Sequence, residues 1–463
     1  MILSRFRPGK QLAICWLILV CIIATSVAGA NLFVHNLFVT LCLLSYTLCY
    51  YSWLARGGKL LSFYVFFVTY CLFSNLGQSL LDTFGLTNLI VGANMYDLHG
   101  YESVNNMLRF QSTCIAALNL GTILYTCKSN NVVSQKQLND AYVINQPKWK
   151  YDSILDFILV ICICFFTYQG LKMLILRQTL DYAAFFEMGR GQTQNRLTNY
   201  MDMLTIMLSL RCIFKGRRLK LIYGFYIISI LIYMYVGARG LAIRYVATFL
   251  VTLPMVKPNL FKKKFWVIWF MGFIVSFSVL SVISNSRSSV LGSGFADNGG
   301  LKENIIGTIA EMGMSERPAI ITIEAIDAGQ RHYQTIASTI LKALIPLSSQ
   351  TSFCRRNSVA LGDWVSHYVG SYHSGLGYSI VAEAYMNFDK FGWIFFLLWG
   401  YFICYAENRA YKNLLRGTFL WPIWQLTIVC TMIVFARGQF DHVQEVLRWG
   451  EYFLFYSLFT GKY

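Results

Sequence analysis

Residues 11–30 of the chain read QLAICWLILVCIIATSVAGA and contain no charged side chain. About 20 predominantly apolar residues are what a helix needs to cross a hydrocarbon layer roughly 30 Å thick. Because a second apolar segment follows after a short break, we interpret this stretch as a retained signal-anchor and not as a cleaved signal peptide. Similar apolar runs recur at residues 60–80, 155–170, 265–284 and 419–435. The chain is therefore predicted to cross a membrane many times.

The composition supports the same conclusion. Hydrophobic residues make up 56% of the chain, charged residues 13%, and the mean hydropathy is +0.49, which no soluble core could accommodate. The net charge of +17 would suggest nucleic acid in a soluble protein, but here Lys and Arg lie in short loops, as expected of cytoplasmic turns. We therefore expect no nucleic-acid partner. The thirteen cysteines lie mostly in apolar segments, which predicts neither disulfides nor a metal site.

The alternation of basic loops predicts the topology. Every even-numbered apolar segment is followed by a loop rich in Lys and Arg, which indicates about twelve transmembrane helices with both termini in the cytoplasm. We divide the chain into spans one to nine (residues 1–284), an outer, periplasmic loop (285–375), and an amphipathic helix followed by spans ten to twelve (376–463). Apolar patches at 304–314, 319–328 and 335–347 predict that the outer loop folds into short helices. Glu407 is assigned to a cytoplasmic loop.

The arginines and lysines are distributed unequally between the two predicted sides. The outer loops and outer span ends hold 13 Arg and 4 Lys, whereas the inner side holds 8 Arg and 14 Lys. A guanidinium binds phosphate oxygens through a planar fork of donors, whereas an ammonium serves topology equally well. The asymmetry favours a phosphate-bearing ligand at the outer surface. The alternative is that these arginines pair with outer carboxylates or lipid headgroups.

Four arginines are the strongest candidates for phosphate binding, because a charge at a span end is costly unless it faces a cavity or a partner. Arg239 and Arg244 lie at the junction of spans seven and eight, Arg287 follows span nine, and Arg437 ends span eleven within an Ala-Arg-Gly tripeptide.

Two side chains are candidates for general acid or base chemistry. Glu383 lies in the amphipathic stretch 378–388, where apolar surroundings raise a carboxyl pKa, although a structural hydrogen bond or ion pair explains it equally well. His373 precedes it in a segment rich in Tyr, Gly and Ser, where a histidine is a general base or an inert loop residue. The chain lacks a phosphate-binding G-x-x-x-x-G-K-[ST] loop, an H-E-x-x-H motif and a C-x-x-C pair, so we expect neither a metal nor a cofactor.

Four segments, in this order and spacing, resemble Wzy O-antigen polymerases. They are 309–315 (IAEMGMS), 322–324 (TIE), 344–346 (LIP) and 377–388 (GYSIVAEAYMNF), and the strong part of the resemblance covers residues 309–400. The chain departs from the family's pattern where Asp389, Lys390 and Phe391 stand between Asn-Phe and Gly392. That insertion leaves the entry into the next helix, and the direction of Glu383, open.

The resemblance implies a membrane glycosyltransferase in the bacterial inner membrane. Its substrate would be an undecaprenyl-pyrophosphate-linked oligosaccharide, and a growing chain would be transferred to the non-reducing end of an incoming repeat unit. Membrane lipid, a chain-length regulator and a flippase are the partners to expect. An O-antigen ligase, and a flippase or other transporter of lipid-linked oligosaccharides, are the alternatives.

Overall fold

A computed structural model describes residues 2–86, 95–128, 133, 152–179, 196–236, 239–256, 301–345, 348–370, 378–415 and 420–440. Within these ranges every regular element is a helix and there is no strand, so the all-helical fold predicted from the sequence is confirmed there. Predicted spans nine and twelve lie outside the described residues.

The helices are numbered in chain order. The first eight are α1 (Ile2–Ser26), α2 (Leu32–Leu54), α3 (Phe63–Thr83), α4 (Met95–Lys128), α5 (Asp152–Thr179), α6 (Arg196–Phe214), α7 (Leu219–Val236) and α8 (Arg239–Val256). The segment predicted to lie outside, called the cap below, contains α9 (Leu301–Gly313), α10 (Glu316–Asp327), α11 (Thr335–Leu344), α12 (Ser352–Arg356) and α13 (Leu361–Tyr368). It is followed by α14 (Ile380–Phe388), α15 (Gly392–Leu415) and α16 (Leu420–Met432), and short 3-10 turns occupy Ser348–Gln350, Asp389–Phe391 and Ile433–Arg437.

Five of the described helices are long and apolar enough to cross a membrane, which is the finding expected of a polytopic membrane protein. Their apolar parts are Gly9–Ser26, Leu32–Leu54, Phe63–Thr83, Ser153–Thr179 and Leu219–Val236. The predicted total of about twelve spans stays a prediction. Helices α4, α6 and α15 have no stretch as apolar as those of the five. In α4, residues 111–120 are all buried among neighbouring helices, so their side chains need not be compatible with lipid.

Helix α4 lies at the centre of the bundle and packs against α1, α2 and α15. The crossing with α15 is unusually close because each helix carries a glycine there. A Cβ atom on Gly121 would lie 2.0 Å from the carbonyl oxygen of Leu397, and one on Gly400 would lie 2.4 Å from that of Leu118. The two backbones therefore touch directly, which is how small residues allow membrane helices to associate.

At the predicted inner end of the bundle, Glu407 joins α15 to the start of α3. It is fully buried within α15, so its assignment to a cytoplasmic loop was wrong. Its two carboxylate oxygens accept the backbone N–H groups of Phe63 at 3.0 Å and Tyr64 at 2.9 Å. A carboxylate is stable there because it satisfies the unpaired donors and the positive end of the helix dipole. Ser62 caps the next donor.

At the opposite end, Glu316 docks the cap onto α3. It is the first residue of α10 and is fully buried. Its carboxylate accepts the backbone N–H of Gln78 at 2.7 Å and, from Ser79, the hydroxyl at 2.5 Å and the backbone N–H at 3.2 Å. Burial raises the pKa of Glu316 to about 8, although these hydrogen bonds act to lower it. The cap is thus attached to the bundle by three donors on one turn of α3.

Candidate functional site

The Glu383 carboxylate stands at a junction between α14, α11 and the turn after α16. One oxygen accepts the hydroxyl of Thr335 at 2.6 Å, and the other accepts the backbone N–H of Phe440 at 2.7 Å. Its side chain is 0% exposed. The enclosed position supports a carboxylate that holds three segments together, and in this conformation Glu383 presents no surface to solvent.

The local sequence explains why Glu383 points inward. Ser379 caps α14 by accepting the backbone N–H of Ala382 at 3.0 Å, which starts the helix in the register that buries Glu383. The helix ends at Phe388, and Asp389 adopts a left-handed backbone with φ of 52°. The extra residues 389–391 therefore form a 3-10 turn, and α15 begins at Gly392. The insertion is absorbed after α14 and leaves the buried face of that helix intact.

Asn387 completes the junction, one helical turn after Glu383. Its amide nitrogen donates to the hydroxyl oxygen of Thr335 at 2.9 Å, and its amide oxygen accepts the backbone N–H of Ile336 at 3.0 Å. Since the Thr335 oxygen accepts from Asn387, its proton is directed to Glu383. Asn387 stood in the segment that resembles the polymerases, whereas nothing in the sequence distinguished Thr335.

The turn of residues 437–440, which contributes Phe440 to this junction, also carries a candidate arginine. Arg437 is half-buried and its guanidinium donates to the carbonyl oxygen of Glu311 on α9 at 3.3 Å. Gln439 donates to the carbonyl of Val359 at 2.7 Å and accepts the backbone N–H of Leu361 at 2.9 Å. The turn is therefore held by the cap on one side and by Glu383, through Phe440, on the other. It places Arg437 three residues from the amide that Glu383 binds.

Arg244 lies elsewhere, in a buried ion pair between α8 and α6. Its guanidinium donates to the Asp202 carboxylate at 2.6 Å, and the hydroxyl of Tyr245 donates to the other oxygen at 2.9 Å. Arg244 is 7% exposed and Asp202 is fully buried. A buried pair of this kind is destabilising to break, because each charge then loses its partner. This geometry fits the alternative to phosphate binding, in which an arginine predicted on the outer side pairs with a carboxylate.

The other three candidates lie wholly or partly outside the described residues. Arg287 and His373 lie outside the described residues, and for Arg239 the structure describes the backbone at the start of α8 but not the side chain. Of the six candidates, the structure bonds Glu383 to the turn that carries Arg437 and places Arg244 in a separate ion pair. Within the described ranges, no group of three His, Cys, Asp or Glu side chains is arranged to hold a metal ion.

The fold and the site define a class: a polytopic helical membrane protein with a folded cap, whose arginine-bearing turn meets a buried carboxylate. The model of one protein family, O-antigen polysaccharide polymerase Wzy, matches residues 12–461. This match extends over nearly the whole chain, well beyond the segments that showed the resemblance. The chain belongs to the Wzy family of O-antigen polysaccharide polymerases. No curated protein and no solved structure matches it.

Proposed function

We propose that this chain joins undecaprenyl-pyrophosphate-linked oligosaccharide repeat units at the outer face of the bacterial inner membrane, with both termini in the cytoplasm. Family membership supports polymerisation of O-antigen, and the apolar helices support a membrane-embedded enzyme that acts on lipid-linked units. The outer location rests on the Lys and Arg pattern of the loops. In this proposal, the cap of residues 301–370 belongs to the outer loop and covers the reaction site.

The reaction needs two kinds of group. The bond between the anomeric carbon of the growing chain and the pyrophosphate breaks, and its electron pair leaves with undecaprenyl pyrophosphate. The acceptor hydroxyl forms the new bond to that carbon and gives its proton to a base. Arginine forks stabilise the charge that develops on the leaving pyrophosphate, and the base must lie within hydrogen-bonding distance of the hydroxyl.

The observation that carries the assignment of roles is the hydrogen bond from Phe440 to Glu383. It ties the segment that most resembles the polymerases to the turn that carries Arg437. We assign Arg437 to the pyrophosphate and Glu383 to positioning of that turn. Arg239 and Arg287 remain predicted pyrophosphate ligands, and the ion pair with Asp202 makes Arg244 the weakest of the four. The base stays a prediction, with His373 and Glu383 as its candidates.

Analysis of the lipopolysaccharide of a deletion strain tests the function. If the chain is the polymerase, the strain retains a lipid A core that carries a single repeat unit, and a plasmid copy of the gene restores the ladder. Complete loss of O-antigen would indicate a ligase or a flippase instead. Reduced export of other undecaprenyl-linked glycans, measured in the same strain, would point to a flippase.

A further inference from the structure

A strip of aromatic side chains lies on the cap beside the candidate site. Trp364 and Tyr368 are four residues apart on α13 and stack with ring centroids 6.0 Å apart and planes inclined by 23°. Tyr333 meets Trp364 edge to face at 6.4 Å, and the guanidinium of Arg331 lies 5.0 Å from the centre of the Tyr333 ring. We call these four residues the aromatic strip.

The strip is open on one side and supported on the other. Tyr368 is 42% exposed, Trp364 and Tyr333 are half-buried, and Arg331 is exposed. Leu361 and Val365 neighbour Trp364 and Tyr368 on the same face of α13, at positions i, i+3, i+4 and i+7, and are fully buried in the core. The rings are thus held on a rigid base. An aromatic belt at a membrane interface needs no such stacked row along a short cap helix, nor an arginine above its end ring.

The two segments that carry the strip are linked to the hydrogen-bond partners of Glu383. Tyr333 stands two residues before Thr335, whose hydroxyl binds Glu383, so their Cα atoms are at most about 7 Å apart. Leu361, the first residue of α13, donates to the side chain of Gln439, which precedes Phe440, the other partner of Glu383. Gln334 is further fixed by its bonds to Asn357 and Asn387. The segments that carry the strip are therefore held by the same network of hydrogen bonds as the candidate site.

We propose that the aromatic strip binds the saccharide chain of the growing polymer, a short distance beyond the sugar that reacts. The faces of aromatic rings carry negative potential and attract the polarised C–H groups on the apolar face of a pyranose, while Arg331 supplies donors for sugar hydroxyls. This inference rests on the proposed function, because it identifies the ligand of the same site as an oligosaccharide. It assigns the strip a role in retaining long chains and none in bond formation.

The test uses the full-length protein in nanodiscs. The probe is a set of oligosaccharides of one to four repeat units, released by mild acid from the host's own polysaccharide. We expect W364A and Y368A to weaken binding of the longer oligosaccharides about five- to ten-fold, and W364F to weaken it less. F353A is the matched control, because Phe353 is a cap aromatic with 40% exposure outside the strip, and it should bind as the natural protein does.

The same variants are compared by their polymer ladders at matched membrane abundance. The proposal predicts that W364A and Y368A still join two repeat units but produce a shorter modal length.

Unchanged binding and modal length in both variants would overturn the proposal, as would loss of even the first linkage by a Y368A protein that is folded. A change of oligomeric state without a change in glycan binding would assign the strip to a second copy of the chain and would also overturn it. If the natural protein binds the oligosaccharides but joins no units, the proposed function fails while the strip's ligand stands.

Discussion

The Glu383 carboxylate accepts the backbone N–H of Phe440 at 2.7 Å, across 57 residues of sequence. This bond fixes the position of the turn that begins at Arg437. Only proline would remove the backbone donor, and it would also constrain the turn, so the contribution of the bond is best measured from the carboxylate and from its second partner, Thr335.

We expect E383Q to raise the KM for the lipid-linked repeat unit more than it lowers kcat. The amide offers one acceptor oxygen in place of two, so either Phe440 or Thr335 loses its bond, at a cost of about 1–3 kcal/mol for a buried donor. T335V should produce a smaller change in the same direction. A pH–rate profile distinguishes positioning from base catalysis: if E383Q lost the acidic limb of the profile, Glu383 would be the base.

Arg437 is the arginine whose replacement should affect activity most. R437K keeps the charge but loses the planar fork, so we expect it to lose most of the polymer ladder, and R437A to lose all of it. The control is R356K, because Arg356 is an exposed arginine of the cap. R244K should be milder than R437K, because a lysine still pairs with Asp202. Near-normal ladders from R437K would refute the assignment of pyrophosphate to Arg437.

The pH dependence of cap docking follows from Glu316. Its pKa rises from 4.5 to about 8 on burial, so between these values the docked cap retains a proton that the free carboxyl group would lose. The free energy that Glu316 contributes to docking is therefore greatest below pH 4.5 and is lost as the pH rises through 8. Hydrogen exchange of α9 and α10, corrected for the intrinsic rate, should show protection that falls as the pH rises from 4.5 to about 8 and then levels off. E316Q cannot ionise and should show no such fall, whereas a rise in protection with pH would contradict the sign.

The contact between α9 and α3 can be tested with two glycines on one helix. A Cβ atom on Gly313 would lie 2.4 Å from the backbone nitrogen of Gln78, whereas a Cβ on Gly307 meets nothing within 4 Å. G313A should therefore separate the cap from α3 and increase protease cleavage in the cap. G307A should be neutral or slightly stabilising, because alanine favours a helix by about 1 kcal/mol. Equal protease resistance in the two variants would show that the close contact is absent.

Some of this architecture could be predicted from the sequence. The apolar patches indicated helices where α9, α10 and α11 lie, and the amphipathic stretch indicated the helix, α14, that carries Glu383. These features depend on local periodicity, which the sequence displays directly.

The partners of the buried carboxylates could not be predicted. Glu383, Glu316 and Glu407 all bind backbone N–H groups, and every residue other than proline carries one, so the sequence contains no mark of the partner. Glu407 was assigned to a cytoplasmic loop because Lys and Arg residues cluster just after it in the sequence, yet burying its charge among helices is costly. The cost is offset by the start of α3, which is 343 residues away from it in the chain and close to it in the fold.

Reconstitution of the purified chain in liposomes tests the central claim most directly. The liposomes contain a single oligosaccharide repeat unit on undecaprenyl pyrophosphate and no nucleotide sugar. The account predicts a ladder of products that differ by one repeat unit, with one undecaprenyl pyrophosphate released for each linkage formed. A protein that binds the lipid-linked unit and leaves it as a single repeat, or that moves it across the bilayer without joining two units, would contradict the account.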